Sequence, residues 1–438
     1  MFGLATYLGL VLVMLVGAIR RPAVAFAGVL CMYGLKQWGQ NTSALLVQHR
    51  TVSNFFVGAL VLAAIAIVAF RRDGLDLRMP KPWKLAVVLY AYAFMTLSFT
   101  PDLDAALGAW ALQWLYILTF AVVAPFLLNK MDDVKIALSA TVHIGGVICA
   151  LALFAGSWGP RGLVVFGDIY EQETNPLAIA SLGGTVFLGA LFLLRMPQPW
   201  WRKIHVAAFI PIGIAVIIRS QSRGQLGAAG IAAAIGWLLV SRKALGTRVF
   251  SLALAAVLLG LIGWAVWGQL PIDPARWSGE LAENDAQGRL NMAEALLSQA
   301  TNSPGSLIFG LGNSSAYYYL GFYPHVAALE VIAEEGLLGI ALYSAIIVTT
   351  LLSAASLFRA MNETSASAHR VAAAAILALF VFELALTMKQ GSLLSSTYVF
   401  AYAATIARMA RWQIDGQAVV ATDQPLPKST VRFANLMP

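Results

Sequence analysis

Apolar stretches of membrane-spanning length recur along this chain from its first residues to about position 408. They fall at roughly 2–18, 22–36, 54–70, 84–100, 105–128, 136–155, 175–194, 204–218, 225–240, 249–267, 337–358, 370–388 and 392–408. In hydrocarbon every backbone polar group must be paired within the protein, so runs of this kind read as helices. The expected fold is therefore all-α: a polytopic membrane helical bundle of about 12–13 transmembrane helices. Of the 438 residues, 59% are hydrophobic and only 11% are charged, too few to clothe a soluble domain of this size. Residues 2–17 have no basic leader and no small-residue cleavage site before Arg20, so they read as a retained segment. The net charge of +8 is no nucleic-acid signal, because the basic residues gather at the ends of apolar runs. Cys31 and Cys149 lie far apart in apolar runs and read as buried small side chains.

The connections between runs alternate in charge. RRDGLDLRMPKPWK (71–84), KMDDVK (130–135), RMPQPWWRK (195–203), SRKALGTR (241–248) and FRAMNETSASAHR (358–370) are basic and read as cytoplasmic. TPDLDA (100–105) and GDIYEQET (167–174) are acid-rich and read as external. The same parity puts residues 219–224 outside, so Arg219 and Arg223 stand against the positive-inside tendency. They are either snorkelling arginines of an ordinary hairpin or an anion site. The run before them would reach only about 22 Å as a helix, short of a hydrocarbon core of roughly 30 Å, which draws the pair below the surface.

Four regions follow: N-terminal transmembrane helices over 1–267, a large outer loop over 268–336, C-terminal transmembrane helices over 337–408 and a cytoplasmic tail over 409–438. Within the loop, DAQGRLNMAEALLSQATNSP (285–304) sets Leu290, Ala293, Leu296 and Leu297 at helical spacing behind a cap-like Asp285. An amphipathic helix lying on the membrane or on the bundle fits this pattern. GLGNSS (310–315) reads as a turn. PHVAALEVIAEEGLLGI (324–340) opens another helix, with Pro324 in its first turn and Gly336 breaking it before the next span.

The outer side carries the residues suited to chemistry. Arginine fits phosphate because its planar fork gives two parallel charge-assisted hydrogen bonds and it stays protonated. Arg219, Arg223 and Arg289 together would suit a pyrophosphate. His325 is expected at a helix start, where the helix dipole disfavours a further positive charge, leaving a neutral imidazole able to accept a proton; a structural histidine is the alternative. Glu330 and Glu334 share a helix face at i, i+4, with Glu335 beside them, and read as a solvated face. Glu383 sits within a spanning run, where a carboxylate must face the interior as a polar contact or a cavity wall. His143 reads as a packed helix residue. Arg161 and EQETNP (171–176), with Asn175, read as solvated loop or as a wall of a substrate cleft. There is no P-loop, no dinucleotide glycine fingerprint and no external carboxylate pair beyond the weak DLD at 102–104, so phosphate chemistry would rest on arginine with no metal.

SQSRGQLGAAGIA (220–232), GRLNMAEALL (288–297), GLGNSS (310–315) and HVAALEVIAEEGLLGIALY (325–343) occur in that order. Together they resemble the O-antigen ligase and O-antigen polymerase superfamily of bacterial inner-membrane proteins. ETNPLAIA (173–180) is similar to that superfamily's Asn-containing stretch at the start of a span. The resemblance covers roughly residues 160–345; the rest matches only in hydropathy. It implies a GT-C type glycosyltransferase, metal-independent, cofactor-free and inverting, in the inner membrane with its active site facing the periplasm. The donor would be a glycan on undecaprenyl pyrophosphate and, in the ligase branch, the acceptor a hydroxyl of lipid A–core. The resemblance assigns pyrophosphate binding to Arg219, Arg223 and Arg289, with Arg289 also catalytic, and acceptor activation to His325. Many relatives have His-Asn where this chain has His325-Val326, so any amide contribution is missing here. An O-antigen or exopolysaccharide polymerase and a protein O-oligosaccharyltransferase are the alternatives within the superfamily. Outside it stands an anionic-solute transporter, favoured by Glu383 and the outer arginines but lacking repeat symmetry. Membrane lipids are expected partners; nucleic acid is not.

Overall fold

Because lipid offers no hydrogen bonds, the chain satisfies its backbone within helices and packs them through small residues. The computed structural model describes residues 2–70, 74–159, 162–166, 172–174, 177–240, 246–247, 249–250, 253, 257, 260–261, 278–362 and 367–422. Among these, nine helices are long and apolar enough to cross a membrane. The fold is an all-α polytopic bundle, as its pattern of apolar runs predicts. Every run has its helix except 249–267, which lies almost wholly outside the described residues.

Helices α1 (Phe2–Arg20) and α2 (Ala23–Thr42) form an antiparallel hairpin, with Gly17 against Val24 at the turn and Gly3 against Thr42 at the far end. The short α3 (Ala44–Gln48) leads to α4 (Val52–Ala69) and α5 (Lys81–Thr96). α6 (Leu103–Tyr116) runs on through a π-helical stretch, Ile117–Val123, and a 3-10 turn, Ala124–Leu127, before α7 (Met131–Ala155). Three short antiparallel strands, β1 (Trp158–Gly159), β2 (Gly162–Phe166) and β3 (Gln172–Thr174), follow in that order. Asn41 at the end of α2 pins them, donating to the Ser157 carbonyl at 2.9 Å and accepting from the Ser157 amide at 3.1 Å. α8 (Leu177–Leu193), α9 (Trp200–Arg219) and α10 (Arg223–Val240) complete the first half. The outer loop holds α11 (Gly279–Ala300), α12 (Pro304–Phe309), α13 (Ser315–Leu320) and α14 (Ala327–Glu334). α15 (Gly336–Asn362), α16 (Ser367–Gln390) and α17 (Thr397–Thr422) end the described chain, so helix continues past position 408.

The core lies along α16 and α17, where Val371–Phe380 and Val399–Ala404 are buried throughout. Leu12, Leu62, Phe154 and Leu352 point outward at 58%, 61%, 78% and 61% exposure. On a soluble protein such a belt would drive aggregation; on this one it meets acyl chains.

The basic connections gather on one face. Arg408 is fully buried there and donates to the Leu128 carbonyl at 2.9 Å and the Asp76 carbonyl at 2.9 Å. Arg411 pairs with Asp76, and His369 sits 3.9 Å from Asp132. Arg370 donates to the Leu239 carbonyl at 2.8 Å, and Arg195 lies 3.9 Å over the Trp237 ring. Arg219, the 310–335 segment and the α16–α17 turn lie at the opposite helix ends. The alternation read from charge is thus the alternation of the bundle. His143 packs as expected: its Nδ1 donates to the Ser139 carbonyl at 2.7 Å and its ring stacks on His205 at 5.4 Å. Cys31 and Cys149 are buried and unpaired with each other.

Three local expectations need correction. α9 has 20 residues and reaches about 30 Å, so Arg219 closes a helix of full spanning length and is not drawn inward by a short one. α11 begins at Gly279, so Asp285 lies within the helix and does not cap it. α14 begins at Ala327, leaving Pro324 and His325 in the preceding turn. Gly336 does separate α14 from α15, with φ of +67°.

Arg408→Met is expected to destabilise the detergent-solubilised protein by about 3–5 kcal/mol, because it strands several buried acceptors. Arg78→Ala, at a side chain 69% exposed, should change it by about 0–1 kcal/mol; paired thermal-unfolding scans check the contrast. In intact cells, an impermeant thiol reagent should label Gly321→Cys and leave Lys203→Cys unlabelled until the membrane is opened.

Candidate functional site

The outer face is organised by carboxyls that the sequence pattern assigned to solvent. Glu330, Glu334 and Glu335 are 4%, 1% and 0% exposed, so they are not a solvated face. Glu334 accepts from the backbone amides of Ser314 at 2.6 Å and Ala316 at 2.9 Å. Glu335 accepts from the Asn313 amide at 2.6 Å, and Asn313 in turn accepts from the Trp110 indole at 2.8 Å. Glu330 accepts from the Leu393 amide at 2.9 Å, tying α14 to the α16–α17 turn. Backbone bonds from Leu311 to the Ala333 carbonyl and from Gly312 to the Glu334 carbonyl complete the clamp on GLGNSS. Gly310 packs so closely on the Glu334 carbonyl that no Cβ fits, and its φ is +90°. Burial pushes the carboxyls of Glu330 and Glu335 well up, helped by the neighbouring Glu334. Leu296 and Ala300 of α11 pack on Ala316 and Ala333, setting α11 against this clamp, while Leu290 stays exposed.

His325 stands just ahead of α14 with φ of +58°, in the left-handed region that costs a non-glycine residue on the order of 1–2 kcal/mol. Its ring is 4.2 Å from Tyr323 and 6.1 Å from Phe322. Burial holds the imidazole below the ordinary histidine value, and the positive charge of Arg289 lowers it further. The neutral imidazole expected of a helix dipole is therefore produced by desolvation and by Arg289. The structure brings Arg289 and His325 together.

The arginines at the other motif are held differently. Arg219 donates to the Leu153 carbonyl at 3.1 Å and lies 4.9 Å over the Trp158 ring. Arg223 opens α10 and donates to the Ser278 carbonyl at 3.0 Å. Between Ser278 and Arg289 run eleven residues of α11, about 16 Å, so Arg223 and Arg289 occupy separate stations. Gly224 has no room for a Cβ because the Lys389 side chain lies across it. Lys389 thereby joins Arg223 at the positive end of α10. Gln225 donates to Gln390 at 2.8 Å, fastening this turn to the end of α16.

Two cavities lie near these residues. One, of about 300 Å³, is lined by Tyr33, Gln113, Thr185, Glu383, Gln390 and Tyr398 among others. The second, about 80 Å³, is lined by Gln113, Ser314, Tyr317, Tyr323, Glu330 and Ser392 among others. They share Gln113 as a lining residue; the first also reaches Gln390, next to Lys389 in sequence, and the second reaches Tyr323, whose ring lies 4.2 Å from His325. Of the two readings of Glu383, it lines a cavity. Arg161 and Asn175 lie outside the described residues. Lys389 and Gln113 went unremarked in the sequence, where each is one polar residue at or inside a spanning run; Gly224 beside Arg223 was the available signal for a close neighbour.

No family description matches the sequence, and no curated protein matches it. Among solved structures the chain is similar to one described as "Structural coordination of polymerization and crosslinking by a peptidoglycan synthase complex". The identity is 16%, covering 78% of this chain and 98% of that one, with a TM-score of 0.44. A likeness this distant decides nothing about activity.

In Arg289→Gln the His325 titration midpoint should rise, because a cation no longer opposes protonation, yet stay under the ordinary value because burial remains. NMR titration of ring-labelled histidine, with His325→Asn to assign the signal, checks it; an unmoved midpoint would contradict the pairing.

Proposed function

We propose that this chain is a membrane glycosyltransferase of the O-antigen ligase type, moving a glycan from undecaprenyl pyrophosphate to a hydroxyl of lipid A–core at the periplasmic face of the inner membrane. The observation that carries this reading is the presence, at one end of the bundle, of a cationic turn in which Lys389 lies across Gly224 beside Arg223, and of a His325 imidazole held below its ordinary value by burial and by Arg289. The ordered motifs of the superfamily support it, as does the clustering of basic connections on the face opposite the site.

On this reading Arg219, Arg223 and Lys389, with the amides opening α10, hold the donor diphosphate. Their positive charge stabilises the leaving group as the bond between the anomeric carbon and phosphate oxygen breaks and its electron pair passes to the diphosphate. The acceptor hydroxyl attacks that carbon from the opposite face, giving an inverted linkage, and its proton passes to the His325 imidazole. Arg289 keeps His325 unprotonated before the step and adds positive charge near the developing bond. The acidic trio holds this geometry through the 310–316 turn. The three carboxyls are committed to protein partners: Glu334 to the Ser314 and Ala316 amides, Glu330 to the Leu393 amide and Glu335 to Asn313.

Arg223→Ala and Arg289→Ala should each raise the transfer barrier by about 2–4 kcal/mol, read in membranes at matched protein level; near wild-type transfer by both would overturn the assignment. A strain lacking the protein should lose all ligated O-chain on a lipopolysaccharide gel. A single capped repeat would instead mean a polymerase, and unchanged lipopolysaccharide another acceptor such as protein.

A further inference from the structure

The cavity holding Glu383 is unusual for the middle of a bundle. Glu383 is seven residues from Gln390, about 10 Å below the outer end of α16. No hydrogen bond to its carboxyl comes from the described residues, although the neighbouring hydroxyls and amides could supply one. A carboxyl in a spanning helix is retained only where it faces something polar, and the cavity beside it, at about 300 Å³, is at the small end of ligand pockets. Its wall combines amides (Gln113, Gln390), hydroxyls (Thr185, Thr387) and the rings of Tyr33 and Tyr398. Tyr33 is fixed from behind, stacked on Tyr116 at 5.6 Å, and Tyr398 is stacked on Phe120 at 5.9 Å with its hydroxyl donating to the Val29 carbonyl at 2.7 Å. Thr387 and Gln390 are engaged with the Leu384 carbonyl and Gln225, while the Gln113 side-chain oxygen is buried without a partner among the described residues. Aromatic faces held rigidly beside that amide and the Glu383 carboxyl suit a ligand with one apolar face and a rim of hydroxyls.

We propose that this cavity is a saccharide subsite: it takes one sugar ring, with Glu383 and Gln113 hydrogen-bonded to ring hydroxyls and the Tyr33 and Tyr398 rings against its C–H face. The inference rests on the glycosyltransferase reading for its place in the reaction. The cavity wall includes Gln390, next to Lys389 in sequence, and Gln113, which also lines the smaller cavity against Tyr323. On the transferase reading the ring is the donor's first sugar, whose anomeric carbon is bonded to the diphosphate oxygen. A ring of the acceptor entering from the His325 side has the same chemistry.

Saturation-transfer NMR on the full protein in micelles, with glucose, galactose and N-acetylglucosamine as probes, tests the subsite without requiring transfer. Wild type should bind at least one probe. Thr185→Phe, which fills the space, and Glu383→Leu, which removes the acceptor, should weaken it about tenfold or more, with the exposed Arg78→Ala binding as wild type does. Glu383→Gln, nearly isosteric, substitutes if Glu383→Leu loses its thermal transition. In a transfer assay with lipid-linked glycan, a raised KM for donor assigns the ring to the donor and a raised KM for acceptor assigns it to the acceptor. Probes that bind none of the proteins, or all of them equally, overturn the subsite; transfer continuing in that case would leave the transferase reading standing. Cavity-dependent binding without transfer would keep the subsite and remove the transferase.

Discussion

A buried carboxyl must be hydrogen-bonded or neutral, and this constraint shapes the outer face. Glu334 takes the first solution, accepting two backbone amides of the 310–316 turn. Glu330 and Glu335 are hydrogen-bonded as well, and burial with Glu334 beside them pushes both carboxyls well up, in the direction of the second. Removing water from three adjacent acids is expensive, and the structure offsets it by making each one a fastening: to the turn, to Asn313 and through it to Trp110, and to the α16–α17 connection. These fastenings give α14 a fixed start, and the residue just ahead of that start is His325.

Strain falls in the same places. Among the described residues, three non-glycines have positive φ: Gln221 at 54°, Ser314 at 63° and His325 at 58°. One lies in each of the three motifs SQSRG, GLGNSS and the segment opening with His325. Left-handed backbone at a side chain with a Cβ persists only where its surroundings over-determine it, and such residues concentrate at functional sites. The glutamate clamp over-determines Ser314, and the Gln225–Gln390 bond with Lys389 across Gly224 holds the turn that contains Gln221.

Much of this was legible in the sequence because hydrophobicity and charge act locally. Runs of spanning length gave the helices, and the positive-inside bias gave their alternation, down to the side on which Arg219 and Arg223 emerge. The acidic trio was misread because i, i+4 spacing describes one helix and says nothing of what packs on it; here the 310–316 turn, distant from solvent and supplied with free amides, covers the face. The start of α11 lies six residues ahead of Asp285 because GELAEN continues the helix upstream of the apolar pattern; that of α14 slipped past Pro324 because proline serves equally inside a first turn or before it. The two stations of cations were unreadable for a different reason. Arg223 and Arg289 are each suited to phosphate, but only the length of α11 reveals that Arg289 lies about 16 Å along the helix from the Ser278 carbonyl that Arg223 binds. The larger cavity is lined from separate helices, α2, α6, α8, α16 and α17, whose contributions leave no local pattern.

The central claim is that the molecule breaks and forms glycosidic bonds at this face and does not merely move an anionic solute past it. Purified protein in liposomes, with no ion gradient or potential, can be given a labelled glycan on undecaprenyl pyrophosphate together with lipid A–core. The account predicts label appearing on lipid A–core with release of an equal amount of free undecaprenyl pyrophosphate, and neither product with His325→Asn. Label that remains wholly on its original lipid, or that only changes sides of the membrane, would contradict it.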